Sequence, residues 1–289
     1  YHSDIVITRF NCNFATDPGA PLIRGPHPPQ TERVPALRAF HRTPVVLRSP
    51  APLRRMPPLD APPPFPGFRD PAFAFLRGLA DHNERDWFKA RKETYEEEVK
   101  APLELLLADG ARRLEREGLP LTARPKQSRF RIHRDLRFTD DKTPYKTNVG
   151  GVFDRSGEKD KNGVVYVHVE PDHCFLAAGF YRPSVSYLRP VRRRIAEQPG
   201  HFAEMLDTME AHGLPVDSMD DTLTGMPQGF SDYRDDEVAP YLKWKHYVTR
   251  RFFPDEALQS PAFAEEIVRI TREARPLLRF VWDTEPERS

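Results

Sequence analysis

Charged side chains occupy every second position between residues 128 and 138. The odd-numbered positions carry Arg129, Arg131, His133, Asp135 and Arg137. Alternate residues of an extended chain share one face, so the pattern predicts a strand that presents three guanidinium groups on one side. A guanidinium donates two parallel hydrogen bonds to a phosphate or carboxylate group. This face therefore predicts an anion site.

Basic groups are concentrated between residues 126 and 146, where seven basic and three acidic side chains occur. Residues 1–64 hold eight arginines and four acidic residues, so a chain of net charge +1 leaves −3 for the remainder. The residues predicted to bind an anion, with Tyr145 orienting it, are Arg129, Arg131, Arg134, Arg137, Lys142, Tyr145 and Lys146. The alternative is a solvated sheet face, or a salt-bridge network with the glutamates of the second helix.

A second set of polar residues, Tyr166, His168 and Glu170, shares one face of a predicted strand. If that strand neighbours residues 128–138, His133 and Asp135 could converge with His168 and Glu170. Two histidines and two carboxylates suit acid–base chemistry or a divalent metal. Because the spacings HxH, HExxH and CxxC are absent, we predict neither a metal nor a cofactor. The candidate catalytic residues are Asp135, His168 and Glu170.

A third feature interleaves basic and aromatic residues over 243–247 and adds Arg250 and Arg251. Such a pattern can bind single-stranded nucleic acid through stacking and charge. The favoured alternative is a half-buried strand whose Trp244 and Tyr247 belong to the core and whose cations reach solvent. We therefore treat Lys243, Lys245 and Arg250 as a secondary basic patch.

Helical periodicity occurs on both sides of these segments. Asp70 is expected to cap a first helix and Asn83 a second, and Pro102 suits the first turn of a third. Further helices are predicted over residues 184–198 and 199–212, and another begins after Ser260 and kinks at Pro276. Residues 213–240, with scattered Gly and Pro, predict a surface loop.

Strand patterns fill the middle of the chain. Beyond 128–138, where Arg134 suggests a bulge or an end, strands are predicted at 147–153, with a bend at Gly150 and Gly151, and at 163–170, 174–181 and 246–253. Strands grouped between helices predict an α+β fold, in which a central antiparallel β-sheet is flanked by N-terminal and C-terminal helices.

The start of the chain differs in composition from the rest. Residues 1–63 are expected to form a disordered Pro/Arg-rich extension, since residues 1–64 contain 14 of the 31 prolines. We expect translation of the protein to start at Met56. Two cysteines, and no apolar run of the roughly 20 residues that span a bilayer, predict a cytoplasmic protein without a membrane anchor. A single folded domain is predicted over residues 64–284.

Several motifs occur in an order that is similar to one known family. They are FPGF at 65–68, NERDWF at 83–88, SRFRIHRDLRF at 128–138, DKTPYKT at 141–147 and YVHVEP at 166–171. Together they resemble the DUF2461 family of uncharacterised bacterial and fungal proteins. The resemblance implies an α+β cytoplasmic protein whose members start close to Phe65, and it implies no known activity. His133 stands where the family commonly has tyrosine.

The functional expectation is a domain that binds a small phosphate-bearing or carboxylate molecule. If it is an enzyme, it acts on a phosphoester, with Asp135 or His168 as general base and arginines stabilising the developing charge. The alternatives are a non-catalytic protein that docks an acidic partner through its basic face, and an RNA-binding module that uses both basic patches. The sequence does not indicate an oligomeric state.

Overall fold

The computed structural model describes residues 62–135, 137, 141–157, 159 and 163–284. The extension predicted over residues 1–63 therefore lies outside the described residues, except for its last two positions. Leu136 and Phe138, at even-numbered positions of the strand predicted over residues 128–138, also lie outside them.

The first helical layer begins with α1, Asp70–Asp81, which has Pro71 in its first turn. The N-cap residue is Arg69, one residue before Asp70, which was the predicted N-cap. The Asp70 carboxylate instead accepts a hydrogen bond from Gln259 Nε2 at 2.6 Å. Its side chain thus joins the first helix to a C-terminal segment.

The second predicted helix is divided into three pieces. They are α2, Arg85–Ala90, α3, Lys92–Thr94, and a π-helix, Tyr95–Lys100. α4, Ala101–Arg116, follows with Pro102 in its first turn and buries a leucine-rich side. The cap predicted at Asn83 is wrong, because Glu84 occupies the N-cap of α2 and the Asn83 amide binds the backbone of Tyr145.

The strand predicted over residues 128–138 is not formed as a regular strand. Residues Pro125–Ser128 form the short helix α5, and the chain then makes isolated bridges between Arg129 and Gly151 and between His133 and Tyr145. Backbone hydrogen bonds link Arg134 N to Pro144 O at 2.9 Å and Lys146 N to Ile132 O at 2.8 Å. The described residues therefore pair as the two sides of an irregular hairpin, which we call the basic hairpin (residues 129–135, 137 and 141–146).

Within the described residues, four strands form an antiparallel sheet in the order β1-β2-β3-β4. They are β1, Val149–Phe153, β2, Val164–Val169, β3, Cys174–Phe180, and β4, Tyr247–Phe253. These strands confirm four of the predicted segments and the α+β fold. Gly150 and Gly151 lie inside β1, so the bend predicted there is wrong.

One face of this sheet packs on helices. Val165, Val167 and Val169 are fully buried on that face, and a Cβ added at Gly151 would meet the side chain of Leu107 on α4. The opposite face, which we call the polar face, follows from the cross-strand pairs His168–Phe175, Tyr166–Ala177 and Phe175–Phe252. Tyr166, His168, Phe175, Arg250 and Phe252 therefore share one side of the sheet.

The remaining helices flank the sheet's C-terminal part. They are α6, Val185–Glu197, α7, Pro199–Ala211, α8, Ala239–Leu242, α9, Asp255–Gln259, α10, Phe263–Glu273, and α11, Arg275–Trp282. The kink predicted at Pro276 corresponds to the break between α10 and α11 at Ala274. Ser260 precedes α10, and its Oγ accepts a hydrogen bond from Ala262 N at 3.2 Å.

The long loop over residues 213–240 is attached to the sheet. It contains a 3₁₀ turn, Ser231–Tyr233, and its Asp217 forms an isolated bridge with Val248 of β4. Leu214 and Phe230 are buried, although most of the loop is exposed. Among the described helices, none is both long and apolar enough to cross a bilayer.

Candidate functional site

The basic hairpin lies along the outer edge of β1. Phe130 N donates to Gly150 O at 2.9 Å, and Arg129 forms its bridge with Gly151. Ser128 stabilises the approach to this edge, because its buried Oγ accepts a hydrogen bond from Arg124 N at 3.0 Å. Hydrogen bonds to the hairpin thus fix the register of its basic side chains against the sheet.

Asn83 and Phe88 hold the returning half of the hairpin. Asn83 Nδ2 donates to Tyr145 O at 2.9 Å, and Asn83 Oδ1 accepts from Tyr145 N at 3.0 Å, as a neighbouring strand would. The Tyr145 ring stacks on Phe88 with centroids 4.2 Å apart and is only 6% exposed. Tyr145, predicted to orient a ligand, therefore lies in the core and anchors the hairpin.

Arg129 is held by groups of the N-terminal helices. Its Nε lies 3.1 Å from Glu104 Oε1 on α4, and it hydrogen-bonds the hydroxyl of Tyr95. Burial raises the pKa of Tyr95 to about 12, so the hydroxyl stays neutral beside the guanidinium. Arg129 thus has an ion pair of the predicted kind, but its acid is Glu104 of α4 and not a glutamate of the second predicted helix.

Two other arginines of the predicted site are occupied within the hairpin. Arg134 binds Asp141 and reaches Thr143 Oγ1 at 2.5 Å, and hydrogen bonds to the Asp141 carboxylate from Arg134 and Thr143 lower its pKa to about 2. Arg137 binds Asp135 through two contacts of 2.6 and 2.9 Å.

The hydrogen bonds from Arg137 lower the pKa of Asp135 far below its ordinary range. A carboxylate with so low a pKa is a weak base. The ion pair with Arg137 therefore gives no support to the predicted role of Asp135 as a general base.

Two lysines lie over the ring of Phe130, and the charges of two arginines act on one of them; we call these four basic residues the cation cluster. It consists of Arg129, Arg131, Lys146 and Lys159. The ammonium groups of Lys146 and Lys159 lie 5.9 and 5.2 Å from the centre of the Phe130 ring. Burial lowers the pKa of Lys159, and the positive charges of Arg129, Lys146 and Arg131 lower it further.

Lys159 is the member that the sequence patterns missed. Asp154 positions it, since its buried carboxylate accepts hydrogen bonds from the backbone N–H groups of Ser156, Gly157 and Lys159 at 2.7, 2.5 and 2.8 Å. Lys159 itself has a φ of 61°, in the left-handed region. A short Asp-x-Ser-Gly turn signal was visible in the sequence, but nothing there indicated which way the lysine would face.

The polar face carries a continuous series of hydrogen bonds, which we call the relay. Tyr166 Oη lies 3.1 Å from His168 Nδ1, and His168 Nε2 lies 3.1 Å from Glu170 Oε2. Thr147 Oγ1 donates to the other oxygen of Glu170 at 3.1 Å. Each group except the first and last therefore binds two neighbours, so the relay is fully connected.

Burial and hydrogen bonding set the protonation of the relay. His168 is 0% exposed and stacks on Phe175 at 4.4 Å, and burial lowers its pKa. The hydrogen bond from His168 lowers the pKa of Glu170, and burial raises the pKa of Tyr166 well above its usual value. Near neutral pH the relay therefore consists of a neutral phenol, a neutral imidazole and a carboxylate.

The relay and the cation cluster meet at Phe130. The rings of Phe130 and Tyr166 pack edge to face with centroids 5.9 Å apart. A Cβ added at Gly150 would lie 2.6 Å from Tyr166 Oη, so this position needs glycine to let the phenol lie across β1. The same aromatic ring thus contacts the end of the relay and two of the clustered cations.

The predicted convergence of four acid–base residues is formed only in part. His168 and Glu170 are hydrogen-bonded, but His133 packs on Tyr145 and Phe88, and Asp135 binds Arg137. The reason is topological, because the basic hairpin borders β1 and so β1 separates it from β2. Within the described residues, no group of three or more His, Cys, Asp or Glu side chains is arranged to hold a metal ion.

Acidic residues of the long loop bind the secondary basic patch. Lys245 Nζ lies 2.6 Å from Asp221 Oδ1, and Arg250 Nη2 lies 3.1 Å from Asp217 Oδ2. Lys243 is partly exposed, and its carbonyl accepts a hydrogen bond from Leu223 N at 2.8 Å. These contacts favour the structural interpretation of the patch, in which the cations tie the loop to β4.

Cys174 also has a structural environment. Its buried thiol lies 3.2 Å from Glu170 O, and burial raises its pKa to about 12. A thiol with this pKa carries almost no thiolate at neutral pH and is a poor nucleophile. The relay and the cation cluster remain the groups that could bind a ligand or take part in a reaction.

Comparison with known proteins adds the family but no activity. The family described as "Conserved hypothetical protein (DUF2461)" matches residues 71–280. No curated protein and no solved structure matches the chain. The match extends from α1 to α11 and includes the basic hairpin, the relay and the sheet. The chain therefore belongs to the DUF2461 family.

Proposed function

We propose that the protein binds a small phosphate-bearing or carboxylate molecule at the cation cluster. The observation that supports this proposal is the position of Lys146 and Lys159 over the Phe130 ring at the edge of the sheet, with the charges of Arg129 and Arg131 acting on Lys159. Gathering like charges is unfavourable, and after burial, which is the larger cause, the neighbouring positive charges lower the pKa of Lys159 further. An anion between them offsets that repulsion and is held by charge-assisted hydrogen bonds.

The basic residues divide into two roles in this proposal. Arg131, Lys146 and Lys159 are the ligand contacts, and Arg129 contributes its charge while Glu104 and Tyr95 hold it in place. The ion-paired Arg134 and Arg137 shape the hairpin. Lys142 is exposed in the turn and adds to the local positive potential that attracts an anion.

An acidic partner protein is the second candidate ligand. Arg131, Arg137 and Lys142 are exposed around the hairpin, so the positive surface extends beyond the cluster. RNA binding through both basic patches has weaker support, because Asp217 and Asp221 already bind the cations near β4. We also propose a cytoplasmic location, which cell fractionation checks.

Thermal unfolding in the presence of inorganic phosphate, sugar phosphates and nucleotides tests the proposal. A ligand at 100 times its Kd stabilises the folded state by about 2.7 kcal/mol and so raises the Tm. We expect this shift in the wild-type protein and its loss in an Arg131→Gln/Lys146→Gln variant. The charge-matched control is Arg189→Gln/Arg193→Gln, which changes two exposed arginines of α6.

Each outcome has a defined meaning. The absence of a shift with every anion, or an equal shift in the hairpin variant, contradicts the anion site. A shift that appears only with a polyacidic peptide favours the partner protein. A steep salt dependence of RNA binding, with a slope reduced in the hairpin variant, favours nucleic acid.

A further inference from the structure

The relay has the geometry of a hydroxyl nucleophile beside a general base, and burial keeps the phenol neutral until the base removes its proton. A hydroxyl, Tyr166 Oη, lies 3.1 Å from a base, His168 Nδ1, and a third group, Glu170, binds the other ring nitrogen at 3.1 Å. This order of nucleophile, base and orienting acid is the signature of covalent catalysis. Tyrosine is among the side chains that form such intermediates.

The hydrogen bonds determine where the protons lie. The Glu170 carboxylate can only accept, so His168 Nε2 carries the imidazole proton and donates it. His168 Nδ1 is then an acceptor, and the Tyr166 hydroxyl donates to it. The base is thus already positioned to remove the phenolic proton.

The location of the relay indicates its reaction partner. Tyr166 packs on Phe130, above which lie Lys146 and Lys159. Gly150 leaves the space over β1 that the phenol occupies. A phosphoryl group held by the cation cluster would therefore lie beside the tyrosine at the end of the relay.

We propose that Tyr166 is a nucleophile toward a phosphate ester bound at the cation cluster, with His168 as its general base and Glu170 as the positioning residue. This inference rests on the proposed anion site. The cations would stabilise the charge that develops on the phosphoryl oxygens. The ligand class narrows accordingly from any small anion to a phosphoester.

The reaction balances in two steps. In the first, His168 Nδ1 takes the phenolic proton, Tyr166 Oη forms a bond to phosphorus, and the ester P–O bond breaks. The leaving alcohol receives the proton from His168. In the second, His168 removes a proton from water, the water oxygen bonds to phosphorus, and the phosphotyrosine bond breaks, with the proton passing to Tyr166. The products are the alcohol and inorganic phosphate for a monoester.

The test measures hydrolysis of p-nitrophenyl phosphate and bis-p-nitrophenyl phosphate by wild type, Tyr166→Phe and Tyr181→Phe. Tyr181 is a matched control, because it also lies beside a histidine but stacks flat on the His246 ring with centroids 4.7 Å apart. We expect Tyr166→Phe to reduce kcat at least about 100-fold while its phosphate-induced Tm shift is retained. Tyr181→Phe should keep both properties.

Glu170→Gln separates positioning from a merely structural role. We expect it to lower kcat and to shift the pH profile of kcat, because the amide no longer stabilises a protonated His168. A profile that is unchanged apart from lower protein stability contradicts the role of Glu170.

Trapping the intermediate covers the case in which Tyr166→Phe does not fold. Acid quenching of the wild-type reaction, followed by peptide mass spectrometry, should detect a phosphoryl group on Tyr166. Its absence during turnover contradicts a nucleophilic tyrosine.

The outcomes also distinguish this inference from the anion site. Phosphate binding without hydrolysis of either ester overturns the inference and leaves the anion site intact. Full turnover in Tyr166→Phe overturns it as well. Failure of wild type to bind any phosphate removes the anion site, and the inference with it.

Discussion

At the scale of single residues, His168 shows how burial changes the chemistry of a common side chain. It is fully buried, with one ring nitrogen on Tyr166 and the other on Glu170, and stacks on Phe175. Desolvation lowers its pKa despite the adjacent carboxylate. The imidazole therefore stays neutral where an exposed histidine begins to take up a proton.

This lowered pKa predicts acid sensitivity of the fold. The unfolded state binds a proton near the usual histidine pKa of about 6.5, whereas folded His168 does not. The stability it contributes is thus present above that pH and lost as pH falls, by at most about 1.4 kcal/mol per pH unit for one proton. His246 is also buried with a lowered pKa and adds a second such contribution.

Denaturant unfolding between pH 7.5 and pH 5 measures this effect. We expect the free energy of unfolding to fall with pH in wild type and to fall less steeply in His168→Gln. The control is His201→Gln, which changes an exposed histidine of α7 and should keep the wild-type slope. Equal slopes in all three proteins contradict the prediction.

At the scale of elements, the basic hairpin is held in place by an amide from another element. The two hydrogen bonds between Asn83 and the backbone of Tyr145 replace the ladder that a neighbouring strand would provide. Asn83 lies between α1 and α2, so the N-terminal helices set the position of the hairpin. The cations of the cluster depend on this contact only indirectly, through the backbone.

Asn83→Ala should therefore destabilise the protein and weaken anion binding together. It leaves a backbone N–H and a carbonyl of buried Tyr145 without their partner, which costs about 1–3 kcal/mol for each unsatisfied group. Thermal unfolding and phosphate titration measure the two effects. Gln127→Ala, in an exposed position of α5, is the control. Wild-type stability in Asn83→Ala would show that the two hydrogen bonds between Asn83 and the Tyr145 backbone contribute little.

At the scale of the whole molecule, the core begins at Phe65, near the start of the described residues. Phe65 is buried beside Phe68, and its N–H donates to Asp109 Oδ2 on α4 at 3.3 Å. Arg112 of the same helix binds the carbonyl of Pro62 at 2.7 Å. The described fold thus extends to a position close to Pro62.

Truncation tests this boundary. A chain that starts at Met56 should keep the wild-type Tm and phosphate response. A chain that starts at Gly67 loses Phe65 and should be destabilised by about 3–5 kcal/mol, as for removal of a large buried aromatic side chain. Thermal unfolding of both chains checks the prediction. A large loss of stability in the Met56 chain would place structural contacts upstream.

Sequence patterns predicted the regular strands correctly but failed for the irregular segment at residues 128–138. Alternation identified β2 and its two faces, because Val165, Val167 and Val169 face the core and the intervening residues do not. The same alternation suggested a strand at residues 128–138, where the described residues form isolated bridges and no regular strand. Alternating polarity reports which side chains are buried, whereas a ladder also requires a partner in register.

The sequence by itself determined the α+β class, four strands, most helices and the family, because hydrophobic periodicity and turn residues are local properties. It also placed Tyr166, His168 and Glu170 on one face. The tertiary structure decided which cations are bound by carboxylates, as with Arg129 and Glu104, and brought Lys159 to Arg131 and Lys146. Those contacts join residues from different elements, and sequence spacing does not fix the distance between elements.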